Sequence, residues 1–417
     1  MRSDLTWRTK GTALGRQSGV FVGAPVLYLA TCLAGIALAC AIGYNQVIGA
    51  GDTYVFGVIG NDTTHLQAER DAGVRAKLFY LSWREFYPQE GVRDTTYIAA
   101  KKQELRRLRE AGFKIILNLG YQDAPLWVHQ NYEDSYYVNQ YAELYAATDN
   151  FDNGDVNLIF NDQLRGLVAS YMQEVVSEFG TDFYAVRLGG GRYGELTYPP
   201  TDVNGKTNLY WAYDQNALAS SPVPGWTPGD PSPNGEASEF LDWYLDSLVD
   251  YQDWQINALR DTGYDGKIMM LYPSWGIRPG QIDEALETNL DGTTSAEENG
   301  EIQRGYDFAR QVKAISDPKV VLTTTWLEAN PDATSDLQYD PRYWSPVHYL
   351  SSLAKAHPLQ LRLYGENGGR DDMKAMELAA YRMRRYGLLG MCWYNEKELF
   401  SNRYASLEDY EWVIDKS

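Results

Sequence analysis

From Tyr54 onward, short apolar runs rich in β-branched and aromatic residues alternate with longer stretches of helical period. The runs are YVFGVI (54–59), AKLFYLS (76–82), FKIILNLG (113–120), FYAVRLG (183–189), KIMMLYP (267–273), KVVLTTTW (319–326), LQLRLYG (359–365) and LLGMCWY (388–394). Continuous apolar runs, rather than strict in/out alternation, mark strands covered on both faces, which is how parallel sheets read. Between them, residues 96–111 place Ile98, Leu105 and Leu108 on one face and charged residues on the other, and stop at Gly112. Residues 162–179, 239–262 and 373–386 predict further helices. Eight strand-then-helix units with no change of composition predict one (β/α)8 TIM barrel over residues 54–417. An open doubly wound sheet would need a phosphate-binding glycine turn after the first strand. That strand ends in Gly60-Asn61-Asp62, and Gly189-Gly190-Gly191 lacks the spacing of a dinucleotide fingerprint.

The N-terminus follows another pattern. Residues 17–51 carry no charge, and 20–42 are apolar almost throughout, about the 20 residues that span a bilayer. Arg2, Arg8, Lys10 and Arg16 precede them against Asp4 alone, which predicts a basic cytoplasmic segment over 1–19. The expected order is therefore 1–19 basic, 20–42 signal anchor or signal peptide, 43–53 linker, then the barrel. Ala37-Leu38-Ala39 fits a cleavage site, so secretion and anchoring by one transmembrane segment both remain open. Either places the barrel outside the cell or in its envelope.

Two predicted connections are long, 121–160 with the acidic stretch 149–155, and 193–235, rich in Pro, Asn and Trp. Loops of this length usually build a site or a lid. Both leave strand C-termini, the face on which barrels carry their chemistry. The acidic stretch fits no EF-hand spacing, and a solvated turn is the plainer interpretation.

Composition narrows the chemistry. A net charge of -19 argues against nucleic acid as partner, since a polyanion needs a basic face. The three cysteines, Cys32, Cys40 and Cys392, make no disulfide framework, and the four histidines make no metal-spaced cluster or Ser/Cys–His pair. No metal and no cofactor is expected. Strand ends instead offer Asp62, Trp83, Arg84, Gln122, Trp127, Arg192, Glu195, Tyr198, Tyr272, Trp275, Trp326, Glu366, Asn367, Trp393 and Glu396. Carboxylates among aromatics compose a sugar site, with rings stacking on the pyranose face and two carboxyl groups flanking the glycosidic oxygen. Each Trp taken singly fits core packing equally well. Glu195, in the small-residue stretch 190–200, and Glu366, between Gly365 and Asn367, are the candidate catalytic pair. Plainer roles are an ion pair with Arg192 for the first and a helix cap for the second. The other residues are candidate contacts to an oligosaccharide, polysaccharide or glycoconjugate.

Carboxylates after strands four and seven resemble the layout of clan A retaining glycosidases. Residues 83–91 (WREFYPQEG), 112–117 (GFKIIL) and 124–128 (APLWV) resemble the N-terminal half of family 42, β-galactosidase-type barrels. That resemblance implies a retaining enzyme with Glu195 as acid/base and Glu366 as nucleophile; neighbouring donors such as Arg192 or the Tyr272 hydroxyl are expected to hold Glu366 ionised. Family members carry Asn where this chain has Gly194. Residues 194–199 (GELTYP) are instead similar to the Gly-Glu-Leu-x-Tyr-Pro motif of β-amylases, inverting barrels with their acid at that position. A non-catalytic carbohydrate-binding barrel is the alternative of a different class.

Overall fold

A computed structural model of the chain describes residues 54–146, 155–329, 333–369, 372–401 and 403–417. The expected anchor, its flanks and most of the acidic stretch 149–155 lie outside these residues. No helix of the described residues is long and apolar enough to cross a membrane.

Eight parallel strands close in sequence order, β1 pairing with both β2 and β8. They are β1 (Val55–Val58), β2 (Ala76–Tyr80), β3 (Lys114–Asn118), β4 (Ala185–Leu188), β5 (Lys267–Tyr272), β6 (Val320–Thr324), β7 (Arg362–Glu366) and β8 (Gly390–Trp393). Each lies within one of the apolar runs, except that β7 runs one residue on to include Glu366. A helix follows each strand: α1 (Leu66–Asp71), α2 (Thr95–Glu110), α3 (Asp162–Phe179), α4 (Glu236–Asp261), α5 (Phe308–Ala314), α6 (Pro346–Ala356), α7 (Met373–Tyr386) and α8 (Leu407–Asp415). Side-chain caps fix several starts. Asp94 accepts from the Thr96 and Tyr97 amides, Asn161 from Leu164, and Asp372 from Ala375.

Side chains alternate across every strand, and this parity sorts the molecule into two cores. Inside the barrel, Val55, Ala76, Leu78, Ile116, Ala185, Met269, Leu271, Val321, Tyr364 and Cys392 pack together. Outside it, the opposite strand faces meet the helices in one continuous apolar layer. Two residues beyond the apolar filling, toward the strands' C-terminal ends, the inward positions turn polar: Asn118, Arg187, Thr323 and Glu366, all buried. A third long connection, 273–307 between β5 and α5, joins the two expected from the sequence and carries short helices at Gln281–Glu287 and Ser295–Glu298.

Candidate active site

Glu366 ends β7 on the inward parity of Tyr364, and its side chain is held from across the barrel. Arg187, the inward residue of β4, donates from Nη2 to Glu366 Oε2 at 3.0 Å. Both side chains are only 7% exposed, so this ion pair sits in low dielectric. Burial pushes the Glu366 carboxyl above the usual range, and Arg187 pulls it partly back.

Glu195 reaches the same mouth by a loop. After β4 the chain turns through three glycines and closes on itself, with Gly191 N–H donating to Glu195 O at 2.8 Å and Gly194 N–H to Gly191 O at 2.8 Å. It then rejoins β5 through Leu196 N–H to Leu271 O at 3.0 Å. Gly190 is indispensable to this turn: its φ is +75°, and a Cβ there would lie 2.2 Å from the Tyr251 hydroxyl. Gly190 therefore serves the packing of the loop against Tyr121 and Tyr251, while Gly189 and Gly191 lie against the loop's own return at 194–197. From α4, Gln255 accepts the Gly189 amide at 2.9 Å and pins the loop's origin.

The Glu195 carboxyl is half-buried and accepts the Thr325 hydroxyl at 2.7 Å. Its pKa is raised, chiefly by burial. The Thr325 bond, Arg304 and Arg187 counter this, while the charge of Glu366 adds to it. The two carboxyls thus share one field with unlike partners, a neutral hydroxyl on Glu195 and a guanidinium on Glu366. A guanidinium at hydrogen-bond distance favours the ionised carboxylate more than a neutral hydroxyl does. A third carboxyl, Asp155, lies near Arg304 and accepts the Arg192 amide; burial pushes it up to about 7.

Other expected residues fall into two groups. Gln122 borders the mouth, since a Cβ on Gly194 would lie 3.3 Å from its Nε2. Arg84 pairs with Asp123 at 2.9 Å, half-exposed beside it. Trp326 lies against Gly368 and meets Trp275 edge-on at 6.0 Å, both partly exposed. Asn367 is buried and donates to Tyr394 O at 2.6 Å while accepting Tyr394 N–H at 2.5 Å, which ties the ends of β7 and β8.

The remaining expected contacts are engaged by other partners. Trp393 and Tyr272 follow the inward residues Cys392 and Leu271, so parity turns them toward the helices. Trp393 is fully buried near Tyr410 of α8, and Tyr272 donates to Gln252 of α4 at 2.8 Å. Trp83 is buried over Tyr171, and Trp127 donates to Tyr87 O at 2.8 Å. Tyr198 stacks on Tyr244 at 3.9 Å and donates to its carbonyl. Asp62 accepts from Thr64 and His65 ahead of α1. Glu396 is buried against Lys77 of β2, which also binds Glu69 at 2.8 Å. Arg192 bonds the Tyr145 hydroxyl at 3.1 Å, and the place beside Glu366 expected for it, or for Tyr272, belongs to Arg187. Arg187 and Thr325 were absent from the sequence expectation. The signal for Arg187 was available, as the lone charge inside the apolar run 183–189. Among the described residues, no three His, Cys, Asp or Glu side chains converge as a metal site requires.

No protein-family model matches the chain, and no curated protein sequence does. Solved structures do match, among them a β-amylase domain and β-galactosidases. The catalytic domain of β-amylase from Paenibacillus polymyxa matches at TM-score 0.63 and 17% identity, over 88% of this chain and 99% of that one. β-Galactosidase from the psychrophilic Marinomonas ef1 matches at 0.56 and 10%, over 87% and 59%. A catalytic mutant of Gan42B, a GH42 β-galactosidase from G. stearothermophilus, matches at 0.53 and 14%, over 88% and 57%. The chain thus spans less than three fifths of either β-galactosidase and nearly all of the β-amylase domain. At these identities the likeness establishes the fold alone, the (β/α)8 barrel.

Proposed function

We propose that the protein is a glycoside hydrolase in which Glu195 is the general acid and Glu366 its ionised partner. The observation that carries this is the unequal support of two carboxyls at one barrel mouth, Thr325 on the half-buried first and Arg187 on the buried second. Glu195 donates its proton to the glycosidic oxygen as the bond to the anomeric carbon breaks. In the inverting form, Glu366 takes a proton from the water that attacks that carbon from the opposite face. In the retaining, β-galactosidase-like form, Glu366 attacks first, and Glu195 then deprotonates the water that releases the sugar.

A specific observation favours the inverting, β-amylase-like form. Gly194 has φ +78° and no side chain, where family 42 carries the Asn that contacts the substrate's 2-hydroxyl. The Gly-Glu-Leu-x-Tyr-Pro match and alignment along 99% of the β-amylase domain support it further. NMR of the first product from an aryl glycoside or oligosaccharide panel decides. Inversion is expected, and retention would return Glu366 to the role of nucleophile. Absence of hydrolysis across the panel would favour the carbohydrate-binding alternative. That alternative gives no reason to place two carboxyls in one field that raises both, which costs free energy without helping a binder.

The barrel is proposed to act outside the cytoplasm, its N-terminal segment meeting the membrane. Full-length protein is expected in the membrane fraction, or secreted in shortened form. Uncut protein in the cytosol would overturn this.

A further inference from the structure

The third long connection builds something the two carboxyls do not use. Between residues 275–301 of the β5–α5 connection and 334–343 of the β6–α6 connection lies a cavity of about 770 Å³, within the range of small-ligand sites. Its lining includes Trp275, Arg278, Asn299, Glu301, Gln338 and Arg342. Both connections leave strand C-termini, so the cavity opens on the face that carries Glu195 and Glu366.

Arg278 is the unusual member. It is 4% exposed, yet among the described residues Nε and Nη1 have no hydrogen-bond partner; both atoms are sealed, so an anion in the cavity meets them only when the Arg278 side chain shifts toward it. Nη2 donates to Trp344 O at 3.0 Å, and the guanidinium lies 4.1 Å from the Tyr349 ring centre. The nearest carboxyls are engaged elsewhere. Glu301 accepts the Ser274 hydroxyl at 2.6 Å and the Gly276 amide at 2.8 Å. Asp336 accepts Arg382 Nε at 3.0 Å and the Ser345 amide at 2.8 Å. Burial lowers the Arg278 pKa to about 10, which leaves it charged at neutral pH. A buried cation with unmet donors is expensive unless an anion completes it. Arg342, half-exposed at the same cavity, adds a second cation, though Asp340 holds it at 2.9 Å and Glu284 lies 3.8 Å away.

We propose that this cavity receives an anionic group, a carboxylate or a sulfate, carried by a sugar ring of the substrate near the bond to be cleaved. The inference rests on the glycoside hydrolase reading and narrows its substrate to acidic saccharides. Continuity with the mouth supports it. Trp275 in the cavity wall meets Trp326, which adjoins both Thr325, the donor to Glu195, and Gly368, two residues beyond Glu366. An aromatic wall leading to Arg278 suits a ring that bears a charge at its edge.

Calorimetric binding to the full-length protein tests this with three forms of each disaccharide: neutral, oxidised at C6 to the uronate, and sulfated at O6. Maltose, cellobiose and lactose serve as parents. At least one anionic form is expected to bind about tenfold more tightly than its neutral parent, in the range of a charge-assisted hydrogen bond. The tighter of the uronate and the sulfate identifies the group. Arg278→Met should abolish the preference and Arg342→Gln reduce it severalfold. If Arg278→Met does not fold, Arg342→Gln decides. Equal binding of neutral and anionic forms overturns the proposal, as does a loss in both variants that is the same for both forms. Anion-selective binding without cleavage would keep this site and reject hydrolysis. Cleavage of neutral sugars without anion preference would do the reverse.

Discussion

Replacing Glu195 with Gln is expected to slow hydrolysis of unactivated oligosaccharides by about 10²–10⁴-fold, the usual contribution of a positioned acid. Activated aryl glycosides, whose leaving groups need little protonation, should lose far less. The pH profile carries the same information with a defined sign. Burial and the charge of Glu366 raise the Glu195 carboxyl, so its proton persists above the ordinary carboxylate range. Wild-type activity falls only as pH rises through that elevated value, and the substitution should erase that alkaline limb. An equal loss on both substrate types, with the limb intact, would remove Glu195 from the acid role.

A comparably large effect is expected at Arg187. Arg187→Met leaves Glu366 buried without its cation, and loss of one partner of a buried pair typically costs about 3–5 kcal/mol. Arg187 is also what lowers the raised Glu366 carboxyl, so without it that pKa climbs further. Activity requires the ionised form, and the acid limb of the profile should therefore move to higher pH. Chemical denaturation and pH–rate measurements read the two effects separately. The double variant Arg187→Met/Glu366→Gln should recover part of the stability, because no uncompensated charge remains. If the acid limb stays in place in the single variant, Arg187 does not tune Glu366.

The barrel itself was legible because buried parallel strands leave an unmistakable trace. All eight apolar runs became strands, and 162–179 and 373–386 became helices with those limits. The placing of Glu195 and Glu366 at the strand C-terminal face was legible because each follows a glycine at the end of a strand. The aromatic contacts were harder. Nearness to a strand end does not say which way a side chain faces, and a shift of one residue exchanges the barrel interior for the helix layer. Trp393 and Tyr272 fell on the helix side of that choice. Counting parity from Cys392 or Leu271 would have placed them there, and counting from Ala185 would have brought in Arg187. Glu396 misled for another reason: its partner Lys77 lies 319 positions away, beyond any local pattern.

That same buried lysine bears on how the chain is made. Lys77 holds Glu69 from the first helix and Glu396 from just past the last strand, and all three are buried. β1 likewise has β8 as one of its two neighbours. On the ribosome, the start of the barrel is translated more than three hundred residues before the groups that cover it. Until residue 396 emerges, Lys77 lacks one of its two carboxylates, and one edge of β1 stays open to other strands. The nascent domain therefore carries its own mark of incompleteness, an unsealed strand edge of the sort chaperones shield.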